Sequence, residues 1–337
     1  MDRWKINSSG VDEAPAHFQE SLTSSDTGPW AKGFRYALKI RNGNQTSGAG
    51  AADYIFTETK LEAQDIAHSG WDYTNTNSKI TLSFWIKSSV AQTFYGRLLT
   101  YDGTILNYPF STGSLSANTW TKITKTIPGH ASLQFDSNNA EGLAVILAPF
   151  MGTDYTDSGV TLDAWATYGG GTRMPDYTST WYTTDDSTFH ITGVQLEAGD
   201  TATEFEHRPY NDVLLQCERY YQVIVDRTLD TQGNATNSVF FATCWAYDNH
   251  SAWMVVPFRQ VMRVKPSHEI TTGTDFWKFV MGATAIDITG TGFASDDSST
   301  RNWFYKVALG TNSTTQGYGG GCIAWSGSCR LAYSAEL

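Results

Sequence analysis

Aromatic side chains set in a glycine-rich, hydroxyl-rich segment are the residues here whose type and spacing could do chemistry. Between positions 165 and 182 (WATYGGGTRMPDYTSTWY) stand Trp165, Tyr168, Tyr177, Trp181 and Tyr182, with Arg173 and Asp176 among them. Trp71 and Tyr73 make a smaller version at 71–77 (WDYTNTN). The C–H face of a sugar ring stacks on Trp and Tyr while its hydroxyls bond to Asn, Asp, Thr or Gln. Such a site is mostly apolar with a few placed polar groups. The seven aromatic residues are therefore candidates for ligand contact, and equally for covering the end of a β-fold or meeting a neighbouring subunit.

Motifs for bond-making chemistry are missing, so no catalytic residue is assigned. Ala324-Trp325-Ser326-Gly327 lacks the first glycine of a nucleophile elbow. His268-Glu269 is followed by Ile270, Thr271 and Thr272, so the second histidine of a zinc-hydrolase helix is absent. No phosphate loop or dinucleotide fingerprint occurs, and the histidines show no ligand spacing; no cofactor and no metal is assigned. Asp185-Asp186 and Asp296-Asp297 are adjacent carboxyl pairs in Ser/Thr-rich loops, read as solvated turn caps. Cleavage of a glycan would need two carboxyls across the scissile bond. Cys217, Cys244, Cys322 and Cys329 form no CxxC. Free thiols are expected, with a Cys322–Cys329 bridge as the alternative.

The elements that must position these residues are strands. Period-two alternation runs through 34–40 (FRYALKI), 80–87 (ITLSFWIK), 119–127, 142–148 and 188–197. Turn signals such as Asp102-Gly103 and Pro128-Gly129 separate them. Residues 58–67 (ETKLEAQDIA) read as a helical insert. Short strands at this spacing predict an all-β chain of sandwich or barrel type. Around 205 a polar stretch leads to 211–221. There Asn211 or Asp212 is expected to cap a short helix with Val213, Leu214, Cys217, Tyr220 and Tyr221 on one stripe. Further strands follow at 222–227, 238–246, 252–258, 276–281, 302–308 and 321–325. The predicted order is a β domain over 1–205, a helical junction over 206–222 and a smaller β domain over 223–337. The stripe lies between two domains and is the candidate oligomer interface.

Composition agrees. Of 337 residues, 34 are Asp or Glu and 23 are Lys or Arg, giving a net charge of −11. That argues against a nucleic-acid binder, which needs a basic face. Forty per cent is hydrophobic and 14% aromatic, so the chain can bury a core. The longest apolar run, 143–151 (LAVILAPFM), is far short of the ~20 residues that span a bilayer. The first ten residues show no secretory leader, and no membrane insertion is expected.

Several strings carry a resemblance. In order they are LEAQD (61–65), ITLSFWIKSS (80–89), NTWTKITKTIPG (118–129), FHITGVQLEAGDTATEFEHRPYNDVLLQCERYYQ (189–222), VPFRQVMRVKP (256–266) and SAEL (334–337). They resemble the C-terminal region of bacteriophage tail-fibre and tail-spike proteins. That resemblance implies a jelly-roll sandwich similar to carbohydrate-binding modules, followed by a β domain at the fibre tip. It further implies a homotrimer on the virion, made in the host cytoplasm, joined to other virion proteins at its N-terminal end. Its implied work is non-catalytic receptor binding, with a host cell-surface glycan as partner. A decoration or collar fibre, and a polysaccharide depolymerase spike, stay open as alternatives. Such modules often hold a calcium with an aspartate of their last strand, where this chain has Thr192 and Gly193; 154–157 (DYTD) is the other place with oxygen ligands. Glu206, His207, Arg208 and Arg219 recur in the resemblance and are read as structural.

Overall fold

A computed structural model describes residues 3–227, 239–273, 275–282, 284–310, 314–325 and 329–337, with the backbone alone over 290–297. The chain is all-β and divides into two compact units, one ending at His207 and one running from Arg208 to Glu336. The polar loops at 228–237 and 311–313, and the Asp296 and Asp297 side chains, lie outside the described residues.

The first unit is a jelly-roll sandwich. Its strands are β1 (Lys5–Ser9), β2 (Ala16–Ser21), β3 (Tyr36–Arg41), β4 (Tyr54–Glu62), β5 (Lys79–Ser88), β6 (Thr93–Thr100), β7 (Leu106–Ser114), β8 (Thr121–Pro128), β9 (Glu141–Met151), β10 (Ala166–Thr167) and β11 (Thr188–Ala198). One sheet has the order β1-β4-β9-β6-β7-β10 and the other β2-β3-β11-β5-β8, every pairing antiparallel. Alternation decides what meets in the middle. Ile80, Leu82, Phe84 and Ile86 of β5 and Phe189 and Ile191 of β11 face Ile55, Phe94, Leu98, Phe110, Leu143, Val145 and Leu147 of the other sheet. The opposite parity of β5 is used as well: half-buried Trp85 joins Leu22, Phe34, Ala37 and Trp120 in a satellite cluster.

Two local expectations are corrected. The helical insert at 58–67 is strand as far as Glu62, and only Ala63–Ala67 (α1) is helical. Pairing of β4 with β1 as far as Glu58, and with β9 through Glu58, Lys60 and Glu62, overrides the helix propensity of Glu, Lys and Leu. Phe34 stands before β3 rather than in its alternation. It packs edge-on to Phe205 at 4.8 Å and against His207 at 5.2 Å, while the His207 ring nitrogen Nε2 lies 2.8 Å from the Lys32 carbonyl. A second helix, α2 (Thr180–Thr183), precedes β11.

The second unit opens with helix α3 (Tyr210–Glu218). Its cap is not Asn211 or Asp212: the helix starts after Pro209, whose carbonyl accepts the amides of Asp212 and Val213. A proline at a helix start loses an N–H that would have no partner there, and Asp212 in the first turn meets the positive end of the helix dipole. The strands are β12 (Tyr221–Asp226), β13 (Val239–Ala246), β14 (Ser251–Pro257), β15 (Ser267–Ile270), β16 (Trp277–Met281), β17 (Thr284–Ser298), β18 (Asn302–Leu309), β19 (Gly319–Ala324) and β20 (Arg330–Ser334). Six close into a barrel, β13-β14-β18-β17-β16-β19, and β12-β20-β15 form a three-stranded sheet. Trp277, Phe279, Met254, Tyr305 and Val307 fill the core, and the Tyr333 hydroxyl reaches that of Tyr305 at 3.1 Å.

The expectation of thiols throughout fails for two of the four cysteines, and the bridge formed is not the alternative Cys322–Cys329. Cys244 and Cys322 form a disulfide, their Cα atoms 6.2 Å apart, while Cys217 and Cys329 take no part in one. Antiparallel pairing of β13 with β19 brings the two cysteines together across 78 residues of sequence. Cys329 is buried, with its thiol on the Phe276 carbonyl.

His190 of β11 is buried beside Trp120, and its Nδ1 has no hydrogen-bond partner. Burial, helped by the charges of Lys87 and Lys39, pushes its pKa down to about 4 from 6.5. Between those values the unfolded chain takes up a proton that the sandwich refuses, so stability is full above pH 6.5 and falls toward pH 4. Over that window wild type should lose up to about 3 kcal/mol in denaturant unfolding, and His190→Gln clearly less. Equal losses in the two proteins would contradict this assignment.

Candidate functional site

Most of the aromatic residues singled out in sequence belong to the core. Trp181 and Tyr182 lie on α2 with 0% and 1% of their surface exposed. The Trp181 indole N–H donates to the Thr188 carbonyl at 3.0 Å. The Tyr182 ring stacks on Phe150 at 4.3 Å, and its hydroxyl donates to Asp53 at 3.0 Å. Burial and that carboxylate raise the Tyr182 pKa. Trp71 is buried and packs with half-buried Tyr73 on Phe135. Trp165 is half-buried on Tyr108, its indole N–H donating to the Pro128 carbonyl at 2.7 Å. Trp71, Trp181 and Tyr182 are structural, because a ring whose faces are covered by protein has none left for a ligand, while Tyr73 and Trp165 keep part of their surface exposed.

Tyr168 and Tyr177 go elsewhere, to the outer face of the six-stranded sheet. That face carries the second parity of its strands: Tyr54, Phe56, Glu58 and Lys60 from β4, and Tyr95, Arg97 and Leu99 from β6. Ala144, Ile146 and Ala148 come from β9 and Asn107 from β7. Tyr101 follows β6, and Tyr155 and Met174 arrive from the segment between β9 and α2. Arg97 stands opposite Ile146, which stands opposite Glu58, so one row across three strands reads cation, apolar, carboxylate. Neighbouring rows put Ala144 and Ala148 of β9 between Lys60 and Leu99 and beside Tyr95. Small residues in the middle strand lie low between the half-buried rings, and this recess is filled: Ala144, Ile146, Ala148 and Met174 are at most 1% exposed. Arg97 and Asn107 are buried as well.

The polar groups of this face are fixed. Asn107 accepts from Arg97 Nη1 at 3.2 Å through Oδ1 and donates to the Arg173 carbonyl at 2.8 Å through Nδ2. Lys60 pairs with Glu141 at 2.6 Å and sits 5.3 Å from the Tyr101 ring centre. Glu58 accepts from Asn7 at 3.0 Å. Burial first, then Glu58 and Glu141, raise the Tyr101 pKa, and burial lowers that of Arg97 to about 10. The Tyr177 hydroxyl is spent on the carbonyls of Tyr95 and Ala148, at 3.3 and 3.1 Å, so this ring is a wall rather than a donor. The face is thus an aromatic surface with a few immobile hydrogen-bonding groups. Sequence reading missed Tyr54, Phe56, Tyr95, Tyr101 and Tyr155. The available signal was a pair of strands, 54–60 and 93–101, with large side chains on both parities.

The barrel carries another aromatic surface. Trp245 and Tyr247 are exposed, Trp253 and Phe304 half-buried, with the Trp253 and Phe304 rings 4.7 Å apart and Lys306 4.7 Å from the Tyr247 ring centre. The outside of a closed barrel curves away from a ligand, and the buried polar side chain nearest these rings in the strand pairing is the small hydroxyl of Ser251.

Of the other expected positions, Asp186 has a left-handed backbone (φ 55°) and pairs with Arg41 at 3.4 Å, both side chains exposed. Thr192 donates to the Tyr36 carbonyl at 2.8 Å. Within 154–157, Thr156 donates to Asp176 and Asp157 accepts the Gly159 amide. Among the described residues no three His, Cys, Asp or Glu side chains are grouped to hold a metal. No helix among them is long and apolar enough to cross a membrane. On the expected interface stripe, Val213 and Leu214 are exposed and Cys217 half-buried. Tyr220 and Tyr221 are withdrawn from it. Tyr220 is buried and its carbonyl accepts the Ala335 amide. Tyr221 opens β12, with its hydroxyl on Glu269 and Arg330. Tyr210 and Leu215, absent from the stripe, are exposed.

No protein-family model matches the chain, and no curated protein sequence matches it. Among solved structures it is similar to the enzymatically active domain of tailspike protein 4 of bacteriophage CBA120, at 9% identity and a TM-score of 0.32, over 58% of this chain and 19% of that one. It is similar to a family 11 carbohydrate-binding module of Clostridium thermocellum in complex with a mixed-linked tetrasaccharide, at 11% identity and a TM-score of 0.28, over 59% and 91%. A CBM4 structure gives 12%, 0.29, 59% and 88%. The chain spans about a fifth of the tailspike domain's length. Scores this low leave the functional argument to the geometry above.

The two classes of ring separate in a stability experiment. Trp181→Ala should cost about 3–5 kcal/mol, as loss of a fully buried aromatic does. Tyr155→Ala, at the half-buried margin of the outer face, should cost under about 1.5 kcal/mol. Thermal unfolding with the order reversed would remove the distinction between core and site.

Proposed function

We propose that the outer face of the six-stranded sheet binds glycan, and that the chain is a non-catalytic fibre protein that attaches a virion to a bacterial surface polysaccharide. The observation that carries the reading is the set of half-buried rings on this face. Tyr54, Phe56, Tyr95, Tyr101, Tyr155 and Tyr168 stand around buried Ala144 and Ala148, with Asn107, Arg97 and Glu58 set among them. The ordered sequence strings supply the viral half of the reading.

A surface of this kind holds one sugar unit weakly, around millimolar or about −4 kcal/mol. Trimeric assembly makes later contacts intramolecular and gains roughly 10²–10⁴ in avidity. The exposed Tyr210, Val213, Leu214 and Leu215 of α3 are the surface through which three copies would meet. Exposed Asp185 and Asp186, the second of them paired with Arg41, support a structural turn rather than a hydrolytic pair.

Titration calorimetry with polysaccharide extracted from bacterial hosts tests the site. Tyr101→Ala and Tyr168→Ala should each weaken binding roughly tenfold without unfolding the sandwich, the scale of one lost aromatic contact. Trp245→Ala should leave binding unchanged. The reverse pattern would move the site to the barrel. In light scattering, wild type should run as a trimer and Leu214→Asp as a folded monomer; a monomeric wild type would refute the assembly.

A further inference from the structure

Arg97 and Arg173 sit at one end of this face without carboxylate partners. Arg97 is 3% exposed, yet its hydrogen bonding is confined to Asn107, and its Nε has no partner. Arg173 donates from Nε to the Gly170 carbonyl at 2.9 Å. Among the described residues neither makes an ion pair. Both guanidinium carbons lie near one ring, 5.4 and 5.9 Å from the centre of Tyr168, and Arg173 is also 4.4 Å from that of Tyr155.

This is costly in isolation. A buried charge is ordinarily paired, because desolvation takes several kcal/mol from an ion that finds no counter-charge. Two like charges around one ring add repulsion. The chain has acidic residues in excess, 34 against 23 basic, so carboxylates are not scarce. Those of this face are engaged at its other end: Glu141 holds Lys60, and Glu58 takes the Asn7 amide. The face is therefore polarised, cationic toward β7 and acidic toward β1.

We propose that this face takes an acidic glycan, whose carboxylate or phosphate substituent is bound by Arg173 and Arg97 beside Tyr168. This rests on the glycan-binding reading above and names the class of sugar. A guanidinium fork matches a planar carboxylate or a phosphate through paired N–H donors, and the unpartnered Nε of Arg97 is such a donor. Half-exposed Arg173 meets the anion first. Glu58, at the far end of the row, disfavours the reverse orientation and offers an acceptor to sugar hydroxyls. Beside desolvated Arg97 the pairing is screened by salt less than a surface pair would be.

An array of bacterial surface polysaccharides tests this, with each acidic member printed beside its carboxyl-reduced or dephosphorylated form. Whole protein should bind acidic members, and removal of the anionic group should weaken binding at least tenfold. The arm that loses signal, carboxyl reduction or dephosphorylation, identifies the oxyanion. Arg173→Gln should abolish the difference within each pair while keeping the residual binding of the neutral form. Arg173→Lys should restore part of the difference, which loss of folding could not mimic. Equal binding of both members of every pair would overturn the acidic-glycan inference and leave the glycan-binding face standing. Binding to none of the polysaccharides would overturn both.

Discussion

Strand β9 is buried on both faces, and the rest of the sandwich unit is arranged around that fact. Its odd positions, Leu143, Val145 and Leu147, fill the space between the sheets. Its even positions, Ala144, Ile146 and Ala148, are buried from the other side. A strand covered on one face by a partner sheet normally shows water its other face. Among the described residues of this unit the cover comes from side chains of the flanking strands and from the segment after β9. Alanine in the middle row keeps the floor low, while Tyr and Phe on either side rise above it. The same arrangement shields an apolar strand and leaves half-buried aromatic rings at the surface.

Charge placement follows from that cover. Groups next to β9 are desolvated whether or not they are paired, which is why Arg97 has a depressed pKa and Tyr101 a raised one. At the β4 side the charges are neutralised locally, Lys60 by Glu141. Toward β7 they are not. A fold selected for stability alone would pair or delete Arg97, and replacing an uncompensated buried charge with an apolar group is commonly stabilising. Keeping it is understandable where a ligand completes the pair.

Fold class was legible because alternation is a local signal: Ile80, Leu82, Phe84 and Ile86 declare their face within eight residues. The disulfide was not, since Cys244 and Cys322 meet only through the pairing of β13 with β19, and register between distant strands leaves no local trace. The proposed face was only partly legible. Clustered aromatics in 165–182 drew attention, yet Trp181 and Tyr182 are clustered because α2 plugs the sandwich between Phe150 and Phe189. The rings of that face are spread over four segments, and Glu58 and Lys60 were hidden by a run that reads as helix. Large residues on both parities of a strand point to a covered outer face, and that pattern, rather than aromatic density, marks the proposed site.

Hydroxyl-radical footprinting of the whole protein, with and without a bound polysaccharide, measures directly where ligand lies. The account predicts protection concentrated on Tyr54, Tyr101, Tyr155 and Tyr168, with Trp245, Tyr247 and Trp253 of the barrel as reactive as in the free protein. Protection of the barrel rings, with the outer face of the six-stranded sheet unchanged, would contradict it.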